Sequence, residues 1–222
     1  MHYDTQTNNH GLTYDPFKAL IAPRPLGWIS TVSANGILNL APYSFFNAIS
    51  DKPKMVMFSS VGKKDSLRNI EETGEFVCSI VSSKLCEAMN MSSAPVHSHV
   101  DEFTLSGVTA APSLCVKPPR VAEAPAALEC RCWKIEPLPA PKGAMEPSYW
   151  LVMGEVVGIY IDETYIKNGM FDLALVQPLA RLGYMDYSVV NAESMFTLNR
   201  PKLENGGASA SLIPGPWDGS YR

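Results

Sequence analysis

A lysine, a carboxylate and a hydroxyl stand together where the sequence predicts the start of a helix. Lys64-Asp65-Ser66 come directly after a predicted strand. The first amides of a helix have no partner inside the helix, and the helix dipole is positive at this end, so a phosphate suits the position. Lys64 adds a charge and Ser66 adds a donor. The same residues are also typical of a solvated helix start capped by Asp65 or Ser66. The spacing alone favours this second interpretation.

A hairpin followed by polar and aromatic residues forms a second candidate group. Residues 26–32 are apolar and β-branched, and Asn35-Gly36 are predicted to supply the positive φ angles of the hairpin turn. Residues 37–40 begin the return strand, and Pro42 is expected to limit regular pairing. Ser44-Phe45-Phe46-Asn47 then places hydroxyl, aromatic and amide groups where a sheet ordinarily buries aliphatic side chains. A planar ligand with a polar edge suits such a surface.

Arg24 and the pair Ser30-Thr31 are further candidates within the same stretch. Arg24 lies between Pro23 and Pro25, so its backbone is rigid while its cation is mobile. It suits a phosphate or an acidic partner, and it equally suits a structural pair with a carboxylate. The hydroxyls of Ser30 and Thr31 suit contacts with a ligand, although such residues also occupy outward-facing strand positions.

Two other patterns have the spacing of metal ligands. Cys130-Arg131-Cys132 would place two thiols on one face of a strand, and His97, His99 and Asp101 would share one face of an extended segment. We interpret the cysteines as buried reduced thiols, because the five cysteines form no disulfide pattern and nothing nearby completes a site. The histidine run is more typical of a solvated loop. We therefore predict no metal site.

Composition excludes several classes of protein. The 222 residues are 46% hydrophobic and 18% charged, which is typical of a globular chain. A net charge of −4 with scattered basic residues argues against nucleic acid as a partner. No apolar run approaches the ~20 residues that a membrane helix needs. The polar start MHYDTQTNNH is unlike a signal peptide, which favours the cytoplasm.

The remaining elements are predicted to be strands with a few short helices. Helices are expected from residue 65 or 66 to Gly74, where the glycine suits a helix end, and at 83–91. Gly154 and Gly158 predict bulges or close backbone approach within a long strand. The predicted strands are 26–32, 37–40, 54–61, 75–81, 121–135 and 150–161. Many strands and few helices predict a closed or nearly closed barrel.

Three regions are predicted along the chain. Residues 1–15 are expected to be a mobile lead-in, and residues 16–200 a single β-rich domain. Residues 201–222 are rich in Gly, Ser and Pro and have too little apolar content for a core of their own. We therefore expect this tail to be extended.

Three longer motifs occur in a fixed order along the chain. They are Pro23-Arg24-Pro25-Leu26-Gly27-Trp28-Ile29-Ser30-Thr31, Asn39-Leu40-Ala41-Pro42-Tyr43-Ser44-Phe45-Phe46-Asn47 and Lys64-Asp65-Ser66-Leu67-Arg68-Asn69. Their order and spacing resemble the flavin reductase-like, FMN-binding split-barrel family, which includes the flavoredoxins. Weaker matches follow at Asp101-Glu102-Phe103, Lys117-Pro118-Pro119-Arg120 and Arg181-Leu182-Gly183, and the resemblance covers about residues 12–200.

The resemblance implies a mainly β split barrel with short helices, a homodimer, and a flavin, FMN, near the subunit interface. It shifts the interpretation of residues 64–66 towards a phosphate site. Arg181 is expected to approach the flavin or the dimer partner. The cofactor-binding residues so predicted are Arg24, Ser30, Thr31, Ser44, Phe45, Phe46, Asn47, Lys64, Asp65, Ser66 and Arg181.

The expected function is an FMN-dependent oxidoreductase that takes hydride from NADH or NADPH and passes reducing equivalents to flavin or another acceptor. The alternatives are a flavoredoxin-like electron carrier that uses no nicotinamide, and a flavin-binding module without turnover. No catalytic side chain is predicted, since the cofactor performs the transfer and the protein positions it. The chain has no G-x-G-x-x-G fingerprint, so a nicotinamide would be a transient substrate.

Overall fold

The computed structural model describes residues 1–220 and divides the chain into two units, Met1–Val190 and Asn191–Arg222. The first unit ends at Val190, whereas the sequence predicts the domain boundary at residue 200. The last two residues of the predicted tail lie outside the described residues. Among the described residues, no helix has both the length and the apolar character needed to cross a bilayer.

Strands form most of the first unit. The long ones carry alternating or continuous apolar residues, as expected for strands buried on one or both faces. In chain order they are β1 (Arg24–Pro25), β2 (Gly27–Val32), β3 (Leu38–Tyr43), β4 (Phe46–Asp51), β5 (Lys54–Val61), β6 (Glu75–Ile80), β7 (Ala110–Ala111), β8 (Arg120–Val121), β9 (Ala126–Pro137), β10 (Tyr149–Ile161), β11 (Ile166–Lys167), β12 (Met170–Phe171), β13 (Leu179–Arg181) and β14 (Tyr187–Val189).

The helices of this unit are short. They are α1 (Phe17–Leu20), α2 (Asp65–Thr73), α3 (Cys86–Met91), α4 (Glu102–Ser106) and α5 (Leu173–Val176), with 3-10 turns at Ser83–Leu85 and Glu163–Tyr165. α2 ends at Gly74, whose φ is +72° and whose amide donates to the Ile70 carbonyl, so the predicted helix end is confirmed. Lys64 is the N-cap residue of α2, and no side chain caps this helix, so the predicted Asp65 or Ser66 cap is wrong.

The main sheet curls into a barrel because of one short connection. Seven strands lie in the order β3-β2-β6-β9-β10-β5-β4, and every neighbouring pair is antiparallel. At about 4.8 Å per strand, the edges of a flat sheet of this size would lie roughly 29 Å apart. Only Ser44-Phe45 separate β3 from β4, and such a link spans about 10 Å. The two edge strands must therefore approach each other, and Ser44-Phe45 cross the seam.

Strand β2 is buried on both faces and separates two apolar clusters. Ile29 packs inside the barrel, in a cluster that includes Phe58, Phe76 and Ile70 of α2. Trp28 points the other way, into a cluster beneath the short helices that contains Met89 and Phe103. The Trp28 indole also donates to the Ser92 hydroxyl over 2.8 Å. Packing therefore fixes both faces of β2, which carries residues 27–31 of the first family motif.

Four strands, not the predicted three, lie between residues 26 and 61. The additional strand is β4, which pairs with β5. The turn prediction also needs correction: Gly36 has a φ of +83°, but Asn35 is not among the residues with positive φ. Pro42 lies inside β3 opposite Trp28. β3 is an edge strand, where proline is tolerated, and pairing with β2 continues through Pro42 to Tyr43, so the expected limit on regular pairing is wrong.

The long strand predicted at 121–135 is interrupted at residues 122–125, which separate β8 from β9. In contrast, the predicted irregularities of β10 are confirmed. Its register against β9 shifts at Met153/Gly154 and again before Gly158. A Cβ placed on Gly154 would lie 2.6 Å from the Phe76 ring, so only glycine fits there without displacing a core side chain.

The second unit contains a small hairpin. Strands β15 (Lys202–Glu204) and β16 (Ser209–Ser211) pair antiparallel around a turn at Asn205–Gly207. Most large apolar side chains of this unit are exposed, including Phe196, Leu198, Leu203 and Leu212. Its described residues therefore form no substantial apolar core, as the composition of residues 201–222 predicts.

Candidate functional site

Two clefts lie on either side of the seam. The first, which we call the polar cleft, has a volume of about 460 Å³ and adjoins the start of α2. Nine of its fourteen lining residues carry hydroxyl, amide, basic or acidic groups. Its lining residues are Asn39, Ala41, Pro42, Tyr43, Lys63, Lys64, Asp65, Ser66, Arg68, Ser93, Ala94, Pro95, Val96 and Glu102.

Buried hydrogen bonds fix the inner wall of the polar cleft. The Ser66 hydroxyl donates to Asn39 Oδ1 over 2.7 Å, and the Thr31 hydroxyl donates to the same oxygen over 3.2 Å. Asn69 Nδ2 donates to Thr31 Oγ1 over 2.9 Å. Asn39 Nδ2 in turn donates to Glu102 Oε2 over 3.2 Å. These five side chains, which we call the Asn39 network, leave Ser66 little freedom to rotate.

The basic residues of the polar cleft differ in how they are held. Lys63 pairs with Glu71 at 2.7 Å, and Arg68 pairs with Asp65 and donates to the Lys63 carbonyl over 2.6 Å. The exposed Lys64 has no such ion pair among the described residues. Its ammonium group is therefore the cation that an incoming anion can engage without breaking an existing contact.

Glu102 belongs to this cleft, although sequence reasoning did not select it. The preceding residue, Asp101, caps α4 by accepting from the Phe103 amide over 2.9 Å, and Phe103 fills the core. Glu102, only 6% exposed, accepts from the Leu40 amide over 3.1 Å as well as from Asn39. Burial raises the pKa of its carboxyl, and hydrogen bonds led by that of Leu40 oppose the increase. The Asp101-Glu102-Phe103 motif was the available signal.

The second cleft, which we call the apolar cleft, has a volume of about 590 Å³. The rings of Phe45 and Tyr149 form part of its wall, with centroids 6.4 Å apart and planes 28° apart. Its lining includes two cations, Lys18 and Arg24, and no carboxylate. The full set is Phe17, Lys18, Ile21, Pro23, Arg24, Pro25, Ser44, Phe45, Phe46, Asn47, Met57, Ser59, Leu138, Tyr149 and Leu151.

Arg24 is a buried cation held by backbone carbonyls. It is 6% exposed; Nη1 donates to Lys18 O over 2.5 Å and to Ile21 O over 2.6 Å, and Nη2 donates to Leu182 O over 2.9 Å. Its Nε has no hydrogen-bond partner among the described residues, and neither has the buried Ser59 hydroxyl. Burial lowers the pKa of Arg24, and the nearby charge of Arg181 lowers it further.

Apart from Arg181, the predicted cofactor-binding residues separate into three groups. Lys64, Asp65 and Ser66 line the polar cleft, whereas Arg24 and the Ser44-Phe45-Phe46-Asn47 segment line the apolar cleft. Ser30 and Thr31 are completely buried within β2, and the Ser30 hydroxyl donates to the Pro119 carbonyl over 2.5 Å. The roles of Ser30 and Thr31 as flavin contacts remain predictions.

Arg181 lines neither of the two clefts. It lies opposite Arg24 across β1 and β13, and its guanidinium carbon is 4.4 Å from the centroid of the Tyr187 ring. Its Nη2 donates to the Tyr184 carbonyl over 2.5 Å. The observed contacts of Arg181 are therefore with its own strand pair, and its predicted approach to a flavin or a dimer partner stays a prediction.

The histidine run at residues 97–101 and the pair Cys130 and Cys132 do not line either cleft. The His97 and His99 rings stack with centroids 5.6 Å apart. Across residues 1–220, no group of three or more His, Cys, Asp and Glu side chains is arranged to hold a metal ion. Cys130 is buried and Cys132 is partly buried, and burial raises the pKa of both thiols. Neither cysteine is poised as a thiolate near neutral pH.

Comparison with solved structures identifies the architecture. Nitrilotriacetate monooxygenase component B from Bacillus cereus has a TM-score of 0.81 and 28% identity, covering 89% of this chain and 98% of its own. The 2-nitrobenzoate 2-nitroreductase of Pseudomonas fluorescens has a TM-score of 0.76 and 26% identity, covering 90% and 96%. A Shewanella frigidimarina protein with a split barrel domain has a TM-score of 0.77 and 20% identity, covering 90% and 99%. The fold is a flavin reductase-like split barrel.

A family model gives the same result from sequence. The model described as "Flavin reductase like domain" matches residues 20–186, which contain both clefts except for Phe17 and Lys18. The chain therefore belongs to the flavin reductase like family. The resemblance found in the three sequence motifs is confirmed, and so is the mainly β split-barrel fold that it implied.

Proposed function

We propose that this protein binds FMN and works as an oxidoreductase, taking reducing equivalents from NADH or NADPH and passing them to flavin or another small acceptor. The observation that carries the proposal is the start of α2, where unpaired amides, Lys64 and Ser66 face one cleft. Family membership supplies the expectation of a flavin.

The phosphate end is assigned to the polar cleft. The first intrahelical bond of α2 runs from the Arg68 amide to the Lys64 carbonyl. The preceding amides, those of Asp65, Ser66 and Leu67, therefore have no acceptor within the helix. Together with the Lys64 ammonium, they offer donors and positive potential for one dianionic group. Because the sequence has no second glycine-rich phosphate site, FMN fits better than FAD.

The ring end is assigned to the neighbouring seam. Ala41, Pro42 and Tyr43 line the polar cleft, and their polypeptide continues across the seam at Ser44-Phe45. Backbone groups of an edge strand have unpaired donors and acceptors, which suit the polar edge of a planar ring. Bound flavin would supply the hydride and electron transfer, while these residues would hold its position and tune its electrostatics.

A homodimer in the cytoplasm is part of the same proposal. Large apolar side chains are exposed on the two longest strands: Trp133 of β9 is 66% exposed, and Ile159 and Ile161 of β10 are also exposed. A second copy would cover such surface and protect the open strand edges of a split barrel. Light scattering by the flavin-loaded protein should give about twice the chain mass of 24.3 kDa. A monomer mass would contradict the dimer.

The names of the similar proteins extend the proposal to the acceptor. A monooxygenase component B at 28% identity supports transfer of reduced flavin to a partner oxygenase. A nitroreductase at 26% identity supports direct reduction of a small substrate instead. In the proposed function, both roles would begin with reduction of the bound flavin by a nicotinamide.

Two measurements test the proposal. Heating the purified or reconstituted protein and separating the released cofactor by chromatography should yield FMN, and recovery of mainly FAD or of no flavin would disprove the assignment. Anaerobic mixing with NADH or NADPH should then bleach the flavin absorbance rapidly. Bleaching by dithionite alone would support the electron carrier, and failure to turn over with either reductant would support a binding module.

A further inference from the structure

One buried polar group at the polar cleft is left without a partner. Tyr43 ends β3 and is 9% exposed, and its ring packs inside the barrel against Phe58, with centroids 4.5 Å apart. Among residues 1–220, its hydroxyl has no hydrogen-bond partner. A buried hydroxyl that makes no hydrogen bond costs free energy, so such a group calls for an explanation. The Tyr43 hydroxyl is available to a ligand, or to a residue that a ligand engages.

The polar neighbours of the Tyr43 hydroxyl include the proposed phosphate site. Burial raises the pKa of the phenol, and the neighbouring hydroxyls of Ser66 and Ser60 oppose that increase. Ser60 is already committed, because its hydroxyl donates to the Gly62 carbonyl over 3.0 Å. Tyr43 and Ser66 both line the polar cleft. Ser66 is therefore the neighbour through which the phenol can respond to a ligand in that cleft.

The Ser66 hydroxyl has one hydrogen, and the folded chain already uses it. Ser66 donates to Asn39 Oδ1 over 2.7 Å, and the same oxygen accepts from the Thr31 hydroxyl over 3.2 Å. Because a hydroxyl donates once and accepts twice, Ser66 can donate to a phosphate only by giving up Asn39. Asn39 Oδ1 would keep Thr31 as a donor. Ser66 Oγ could then accept from a new donor, and Tyr43 is the neighbour with an unused one.

We propose that Tyr43 is a positioning residue for the FMN phosphate and acts through Ser66. When the phosphate enters the polar cleft, the hydroxyl hydrogen of Ser66 turns from Asn39 to a phosphate oxygen, and the Tyr43 hydroxyl donates to Ser66 Oγ. A donor to Ser66 Oγ makes Ser66 a stronger donor in turn, because hydrogen bonds in a chain polarise one another. This inference rests on the proposed function, since it takes the bound anion to be the FMN phosphate.

Tyr43→Phe removes only the hydroxyl and keeps the ring that packs against Phe58. In fluorescence titrations FMN should bind about fivefold to tenfold more weakly, while the affinity for riboflavin, which has no phosphate, should change by less than about twofold. The urea midpoint should not fall, because the removed hydroxyl has no hydrogen-bond partner among residues 1–220. Tyr184→Phe is the matched control. Tyr184 is exposed and lines neither cleft, so neither flavin should respond.

A double-mutant cycle tests whether Tyr43 acts through Ser66. Ser66→Ala keeps Lys64 and the amides of α2, and it should weaken FMN binding about tenfold. Adding Tyr43→Phe should then weaken FMN binding by less than about twofold, since the connection is already lost. An equal effect of Tyr43→Phe with and without the Ser66 hydroxyl would overturn the proposal, because the phenol would not be acting through Ser66. An equal loss for FMN and riboflavin would also overturn it, by placing the role of Tyr43 away from the phosphate.

The same titrations separate this inference from the proposed function. If the parent protein binds no FMN, the proposed function fails and this inference fails with it. If the parent binds FMN and Tyr43→Phe binds it equally well, only this inference fails. A lowered urea midpoint together with weaker binding of both flavins would make Tyr43 a structural residue and would also refute the proposal.

Discussion

The two clefts flank the same short connection but achieve recognition by different means. In the polar cleft, side chains hydrogen-bond one another, so that Asn39 holds Ser66 and Glu102 holds Asn39. In the apolar cleft, polar groups are few, and Arg24 is held by backbone carbonyls. A preorganised network can direct donors at a phosphate, whereas aromatic rings and two cations select shape and charge. The comparison predicts that mutations will act differently on the two sides of the seam.

The largest difference should appear between two asparagines. Asn39 is buried in the network and Asn47 is exposed at the apolar cleft. Asn39→Ala removes the shared acceptor of Ser66 and Thr31 and a donor to Glu102, so it should cost about 3 kcal/mol of unfolding free energy. Asn47→Ala should cost less than about 0.5 kcal/mol. Urea denaturation measures both, and similar losses would mean that the network does not stabilise the barrel.

Lys64 should affect ligand binding rather than folding. Lys64→Ala removes the charge proposed to contact the FMN phosphate, and hydrogen bonds to charged groups are worth about 1.5–3 kcal/mol each. FMN should therefore bind about tenfold to a hundredfold more weakly, with an unchanged urea midpoint. Fluorescence titration with riboflavin, which lacks the phosphate, is the control. An equal loss for both flavins would move the phosphate away from Lys64.

Glu102, at the polar cleft, should make the unfolding free energy of the protein pH-dependent. Its folded pKa is raised above the ordinary 4.5, mainly by burial. The folded protein therefore binds this proton more tightly than the unfolded chain, and the associated stability is present below pH 4.5 and lost as the pH rises through the folded pKa. Charged neighbours at the polar cleft are Asp65, Lys63, Lys64 and Arg68.

The matching experiment compares variants across that range. Glu102→Gln keeps an acceptor and removes the charge, so the stability of the variant minus that of the parent should increase from about pH 4.5 upwards and then level off. Glu87→Gln, at an exposed position, should show no such trend. Unfolding free energies from pH 4 to 7 provide the comparison. A difference that is flat or decreases with pH would mean that burial does not destabilise the Glu102 carboxylate.

Sequence reasoning succeeded where the determining contacts are local. Gly74 ends α2 through its own φ, and Gly154 marks a bulge because only glycine fits against Phe76. The family motifs also identified the split barrel. Sequence reasoning missed β4, because the polar and aromatic residues that begin Phe46–Asp51 were interpreted as a ligand surface, whereas the segment becomes a strand through pairing with β5.

The arrangement of the site could not be predicted in the same way. Glu102 and Asn39 are 63 residues apart, and nothing local to either residue indicates the hydrogen bond between them. The outward-facing interpretation of Ser30 and Thr31 assumes a strand with a solvated face, and alternation would expose only one of these two adjacent residues. β2 lies between β3 and β6 and has apolar clusters on both sides, so its hydroxyls are buried. Which candidates share a cleft depends on how the sheet closes, and that is a property of the whole fold.

The smallest predicted effect distinguishes folding from anion binding on the polar side. Asp65 lies in the first turn of α2 and forms a partly exposed ion pair with Arg68. Asp65→Asn loses that pair and a favourable interaction with the helix dipole, so thermal unfolding should show a loss of about 0.5 kcal/mol. The same change removes a negative charge beside the proposed phosphate, so FMN should bind about twofold more tightly while riboflavin is unchanged. If FMN binding weakened together with stability, Asp65 would be holding the helix start in place for the anion, and its charge would not be opposing binding.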